Sequence, residues 1–129
     1  MKEVVRTEAA PAPFQGAPYS QAIKANGFVF VSGQLALRTG EPHLAGGGIG
    51  EQTELIFANL RVILEEAGTS LEDLVKTTVF LQDLSDFGGM NEVYARHVGD
   101  HPPARSTVEV AKLPSGALVE IEAIALAPQ

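Results

Sequence analysis

Two residues in the last quarter of this chain carry charge where a strand is normally apolar, and together they could do chemistry. Arg105 follows Pro102-Pro103-Ala104 and leads into Ser106-Thr107-Val108-Glu109-Val110. Glu120 sits inside Leu118-Val119-Glu120-Ile121-Glu122-Ala123-Ile124. A guanidinium grips a planar carboxylate through two parallel hydrogen bonds. A carboxylate among apolar strand residues can be tuned as an acid or a base. The pair points to a site that holds a small carboxylic acid and moves protons beside it. Each residue also has a plainer reading. Arg105 can form a surface bridge with Glu109, on the same strand face, worth about 0–1 kcal/mol. Glu120 and Glu122 can share a wet outer face. Tyr19, in Ala17-Pro18-Tyr19-Ser20-Gln21, can be a loop-to-core anchor.

Other chemistries find less support. The run Gly46-Gly47-Gly48-Ile49-Gly50 lacks the Gly-Lys-Ser/Thr ending of a phosphate loop and the Gly-x-Gly-x-x-Gly spacing, so it reads as a lead-in to a helix. His97 and His101 are four apart, but the interval spans Gly99 and the helix end and so lacks helical geometry; with His43 remote and the nearby carboxylates scattered, no metal site is expected. Neither Ser32 nor Ser106 lies in a Gly-x-Ser-x-Gly elbow. With no cysteine, thiolate nucleophiles, disulfides and Cys-ligated zinc are excluded, and a reducing, cytoplasmic setting suits the chain. A formal net charge of -7 opposes nonspecific binding to nucleic acid or anionic membrane. The first residues hold no apolar block of the kind a secretory signal needs, and no window approaches a membrane span.

The elements that must position these residues follow from periodicity. The 129 residues suit one domain, 1–129, able to bury a core. Val4-Val5 reads as a short edge strand and residues 8–18, rich in proline, as an extended loop. Phe28–Gly33 follows the turn signal Asn26-Gly27 and reads as a strand, with Gly33 at a bulge and 34–37 continuing the sheet. Ile56, Leu60, Ile63 and Ala67 fall at offsets 0, 4, 7 and 11, one face of a helix that Gly68 closes. A strand over 75–82 follows. A second helix, capped by Ser85 or Asp86 and ending at Val98, carries Phe87, Met90, Val93, Tyr94 and His97 as its core stripe. Strands over 105–111 and 118–127 close the chain.

This order gives an α+β two-layer sandwich: a mixed sheet with two helices on one face. Val108 and Val110 are expected on the helix-facing side with Val79 and Ile121. Phe80, Ile124 and Leu126 put apolar groups on the other side, which predicts self-association in a closed ring around the sheets.

Several motifs in chain order complete the picture: Pro18-Tyr19-Ser20-Gln21-Ala22, Phe30-Val31-Ser32-Gly33-Gln34, Gly48-Ile49 with Gln52-Thr53, Met90-Asn91-Glu92-Val93-Tyr94, Pro103-Ala104-Arg105-Ser106-Thr107-Val108-Glu109-Val110 and Val119-Glu120-Ile121-Glu122-Ala123-Ile124-Ala125. Over roughly 10–127 the chain resembles the RidA (YjgF/YER057c/UK-type) family. The resemblance implies a trimer of chorismate-mutase-like subunits with clefts between them. It implies hydrolysis of 2-imino acids to 2-keto acids and ammonia, without cofactor or metal. By position it makes Arg105 the carboxylate-binding arginine, Glu120 the water-handling glutamate and Tyr19 the site tyrosine. Ser32, Gly33 and Asn91 become ligand-binding residues. Thr107 stands where many members have cysteine, which leaves substrate range more open than the reaction. A non-enzymatic binder of small carboxylates, an RNA-cleaving translation inhibitor and a chaperone-like surface are the competing readings.

Overall fold

A computed structural model describes residues 1–127. Six strands form a single sheet in the order β1-β2-β3-β6-β4-β5, with β1 Glu3–Val5, β2 Ala22–Ala25, β3 Phe28–Gln34, β4 Leu74–Leu81, β5 Ala104–Glu109 and β6 Val119–Leu126. Helices α1 (Ile49–Glu66) and α2 (Phe87–Val98) pack together on one face. The α+β two-layer architecture is therefore the one the element order implied.

Alternation along the strands decides what each face buries. Val29, Val31, Thr77, Val79, Leu81, Val119, Ile121, Ala123 and Ala125 are buried and meet the helices. The stripe Ile56, Leu60, Ile63 and Ala67 is buried against them, joined by Phe57 and Leu64. Each large side chain so buried stabilises the fold by about 1.5–3 kcal/mol. At the end of α1, Gly68 has φ +83° and Thr69 N–H donates to Leu64 O at 2.9 Å, so the left-handed residue closes the helix as its position suggested.

Three departures from the sequence reading have clear causes. Ala22–Ala25 is a strand, pairing antiparallel with both β1 and β3, although only Ile23 among its four residues favours strands. The tight turn at Asn26 (φ 51°) and Gly27 (φ 85°) imposes it, because a hairpin needs a partner on each side. Beyond Gln34 the chain leaves the sheet, and Leu37 makes only a single bridge, to Leu44. Val108 does not face the helices. It pairs with Phe80, whereas Arg105, Thr107 and Glu109 pair with Thr77, Val79 and Leu81 and share their helix-side face. Val108 is 42% exposed on the open side, so the parity assumed for β5 was reversed.

That open face carries many apolar side chains beside the polar Lys76, Ser106, Glu120 and Glu122. Val4, Phe28, Phe30, Val108 and Leu126 are exposed there, with Phe80 and Ile124 partly covered. Among the described residues β4 and β5 are the only parallel pair, and α2 is the crossover such a pair requires. The topology thereby lays α2 beside Arg105.

Candidate functional site

The sheet divides the candidate residues into two groups. The first gathers where β3 meets β6. Val31 pairs with Ala123 and Gln34 with Ile121, so Ser32 and Gly33 bulge out of the ladder opposite Glu122. This bulge turns the backbone toward Glu120. The constraint on Gly33 is contact rather than its dihedrals: a Cβ there would run into Glu120 Oε2 and push that flexible carboxylate aside. Ser32 Oγ donates to Ser20 O at 2.6 Å and Ser32 N–H to Gln21 O at 3.0 Å, tethering the Tyr19 loop to β3. Tyr19 Oη in turn accepts the Phe14 N–H at 2.6 Å, which leaves its own proton free to donate. Tyr19, Ser32, Gly33, Leu35, Ser115 and Glu120 line an open cleft of ≈ 580 Å³. Two turns at its rim hold non-glycine residues in the left-handed region, Gln15 (φ 56°) and Ser115 (φ 53°). Such strain often marks a functional site.

Glu120 is half-buried, and burial pushes its carboxyl above the usual glutamate range, with the Glu122 charge adding to the effect. It is therefore suited to taking and returning a proton. A Gly33→Ala change should force this carboxylate to swing away. Misplacement by about 1 Å costs roughly 10²-fold in rate, so any proton transfer that Glu120 serves should slow by that factor while circular dichroism stays native.

The second group lies across the sheet, at the free edge of β5 under α2. Phe87, Asn91 and Tyr94 fall at offsets 0, 4 and 7 on α2, one stripe facing β5. The Arg105 guanidinium carbon lies 4.7 Å from the Tyr94 ring centroid and 5.5 Å from that of Phe87. Tyr94 is buried and its Oη shares a 2.6 Å hydrogen bond with Thr77 Oγ1. Burial raises the Tyr94 phenol, while the Thr77 hydrogen bond and Arg105, through both its charge and a hydrogen bond to the phenol, oppose the shift. The ion pairs among the described residues are Arg38–Glu41, Arg96–Glu54 and His97–Glu54, and none involves Arg105. The bridge to Glu109 does not form, because Glu109 Oε1 accepts the Leu84 N–H at 2.8 Å. Arg105 is thus a held cation without a counter-charge.

Val110 N–H donates to Leu81 O at 3.0 Å. Alternation along β5 then turns the N–H groups of Arg105 and Thr107 toward the open edge, beside the guanidinium. Thr107 Oγ1 is the one buried side-chain polar atom without a partner among the described residues. Replacing an unpaired buried hydroxyl by a methyl is close to neutral or stabilising. Thr107→Val should accordingly melt at the same temperature as the native protein or above it. A fall of several degrees would show that the hydroxyl has a partner.

The two groups cannot hold one small molecule within a single chain. Glu120 is opposite Phe80, and Arg105 is opposite Thr77, on the other side of β4. Two strand spacings across and three residues along put their Cα atoms roughly 14 Å apart, and the side chains leave opposite faces.

Sequence reasoning took Phe87 and Tyr94 as core. Phe87 is 41% exposed and touches Arg105 instead. Their offset from Asn91 was the available signal. It also missed two tethers that place β6: Gln52 Oε1 accepts Leu118 N–H at 3.0 Å, and Gln82 Oε1 accepts Leu113 N–H at 2.7 Å. A second hollow of ≈ 550 Å³ runs along Arg6, Thr7, Gln21 and Thr39. The Gln21 amide is fully engaged there, by Thr7, Ala10 and Pro11. Among the described residues, no group of three or more His, Asp or Glu converges as metal ligands would.

Residues 7–127 match the profile of a family described as Endoribonuclease L-PSP. The chain belongs to this family. A RutC family protein of Pyrococcus abyssi is 52% identical to this L-PSP chain over 124 residues, covering 96% of each. Reactive Intermediate Deaminase A, chloroplastic, of Arabidopsis thaliana is 48% identical over 124 residues, 96% of this chain and 65% of that longer relative. The crystal structure of E. coli TdcF with bound serine superposes with a TM-score of 0.88 at 35% identity, covering 98% of this chain and 99% of that one. The L-PSP family thus includes proteins named for reactive-intermediate deamination, in agreement with the RidA resemblance. No helix among the described residues is long and apolar enough to cross a membrane.

Proposed function

We propose that this protein hydrolyses 2-imino acids, the unstable products of pyridoxal-phosphate enzymes, to 2-keto acids and ammonia, as a 2-iminobutanoate/2-iminopropanoate deaminase. The observation that carries this reading is a held cation, Arg105, without a counter-charge among the described residues; Glu120, a half-buried carboxylate held above the usual glutamate range, complements it from the other face of the sheet. The Arabidopsis relative's name supports it. So does the serine in TdcF, whose carboxylate is of the kind Arg105 would grip.

The substrate carboxylate meets Arg105 and the outward N–H of Thr107. Hydrogen bonds to such a charged group contribute about 1.5–3 kcal/mol each. The protonated imine carbon is electrophilic by itself, so the reaction calls for neither metal nor cofactor. Glu120 takes a proton from water as its oxygen adds to that carbon. It returns the proton to nitrogen, the C–N bond breaks, and the remaining hydroxyl loses its proton to form the ketone and ammonium. Tyr19, with its free hydroxyl proton, and Asn91 orient the water or the imine nitrogen. Ser32 and Gly33 set the carboxylate in place.

Because the two groups lie on opposite sides of one sheet, the reading requires a neighbouring copy to bring Arg105, Asn91 and Thr107 to the Glu120 cleft. The exposed apolar face supports such an assembly, and a homotrimer is the form we propose. The acidic, cysteine-free composition suits a cytoplasmic setting and argues against nucleic acid or membrane as partner.

The test couples an amino-acid dehydratase to this protein and follows imine decay by absorbance. Decay should accelerate, with 2-ketobutyrate and ammonia released together. Unchanged decay with retained keto-acid binding would leave a carboxylate-binding protein instead. The family's name, Endoribonuclease L-PSP, favours a second reading, RNA cleavage. Against it stands the lack of a basic, aromatic-lined strip, and salt-sensitive RNA binding with cleavage would revive it.

A further inference from the structure

We propose that Phe87 and Tyr94 are positioning residues, whose rings hold the Arg105 guanidinium in place while leaving most of its five N–H donors free for the substrate. This rests on the reading of Arg105 as the carboxylate anchor.

A long, flexible cation must be fixed before it can offer a bidentate grip. The usual means is an acidic neighbour, but a carboxylate would occupy the same N–H donors the substrate needs. An aromatic face attracts the cation through its quadrupole and competes for those donors only weakly. Arg105 has two rings within cation–π range and no carboxylate, and Glu109, the acid nearest in sequence, is engaged by the Leu84 backbone. The rings are themselves fixed in different ways. Tyr94 is buried, packs edge-on against Phe57 with centroids 5.4 Å apart, and is tied to Thr77 on β4. Thr77 is the residue that pairs with Arg105 across the parallel ladder, so ring and cation are referenced to one point of the sheet. Phe87, one turn before Asn91, is exposed and contributes little to the core. Its large apolar ring at the surface is explained by the cation it touches.

The variants to compare are Phe87→Leu, which keeps apolar bulk without a quadrupole, Phe87→Trp, which restores a stronger one, and Tyr94→Phe, which keeps the ring. Calorimetric titration with 2-ketobutyrate and steady-state imine hydrolysis are the two readouts. For Phe87→Leu, Kd and KM should rise about three- to tenfold, with kcat and Tm unchanged. Phe87→Trp should return Kd and KM to within about twofold of the native values, and Tyr94→Phe should bind nearly as the native protein does. Unchanged Kd and KM in Phe87→Leu, or no rescue by tryptophan, overturns the proposal. The binding arm does not depend on hydrolysis. If the native protein binds 2-ketobutyrate but leaves imine decay unchanged, the functional reading fails and the ring clamp is still judged by Kd.

Discussion

Arg105→Ala should lose at least two orders of magnitude in kcat/KM for imine hydrolysis, with most of the loss in substrate binding. Two charge-assisted hydrogen bonds disappear, and each 1.36 kcal/mol removed is about tenfold. The fold should survive. Arg105 makes no ion pair among the described residues, sits on an edge strand, and its loss leaves no buried charge unpaired. Thermal melting within a few degrees of the native value, together with failure to bind 2-ketobutyrate, is the expected pattern. Near-native turnover would remove the anchor from the mechanism.

Glu120→Gln should do the reverse: 2-ketobutyrate binding stays and kcat falls by about 10²–10⁴-fold, the usual contribution of a general acid–base group. The pH dependence follows from burial. Because the carboxyl is held above its ordinary range, the ionised form needed to accept water's proton is lost earlier on acidification than for an exposed glutamate. The native kcat/KM should therefore rise with pH through that elevated value, and the Gln variant's residual rate should lack this limb. Stability moves the other way. A folded-state pKa raised above the unfolded one favours folding while the group is protonated, and this advantage is lost as pH rises through the folded pKa. Glutamine escapes that loss, so the variant should melt higher than the native protein at neutral pH and match it in acid. A Gln variant that binds poorly, or melts lower at neutral pH, would make Glu120 a structural residue.

What the sequence makes legible is what depends on local period and turn chemistry. The α1 stripe from Ile56 to Ala67 is visible because a 3.6-residue repeat has one interpretation. The bulge at Gly33 is visible because a glycine inside a valine-rich strand has few other uses. Asn26-Gly27 announces a hairpin, yet its first arm, Ala22–Ala25, is hard to read because a single isoleucine among alanines and a lysine makes no alternating pattern. The error at Val108 is of a different kind. Alternation tells which residues of β5 share a face, but not which face of the sheet that is. At an edge strand the helix-side face borders solvent, so Arg105, Thr107 and Glu109 can occupy it. The same missing information hid the division of the site. Arg105 and Glu120 are 15 positions apart in sequence, but only strand order and parity show that β4 stands between them. The ring contacts to Arg105 were hidden because Phe87 and Tyr94 match a core stripe as well as they match a clamp.

Mixing two inactive variants tests the shared site most directly. Arg105→Ala subunits retain the carboxylate, and Glu120→Gln subunits retain the guanidinium. Dissociated together and reassembled at equal ratio, a cyclic assembly with sites between subunits should regain about a quarter of native activity, since each site needs one intact contribution from either side. Mixed assemblies, verified by mass, that show no more activity than the separate variants would contradict a site built across the subunit boundary.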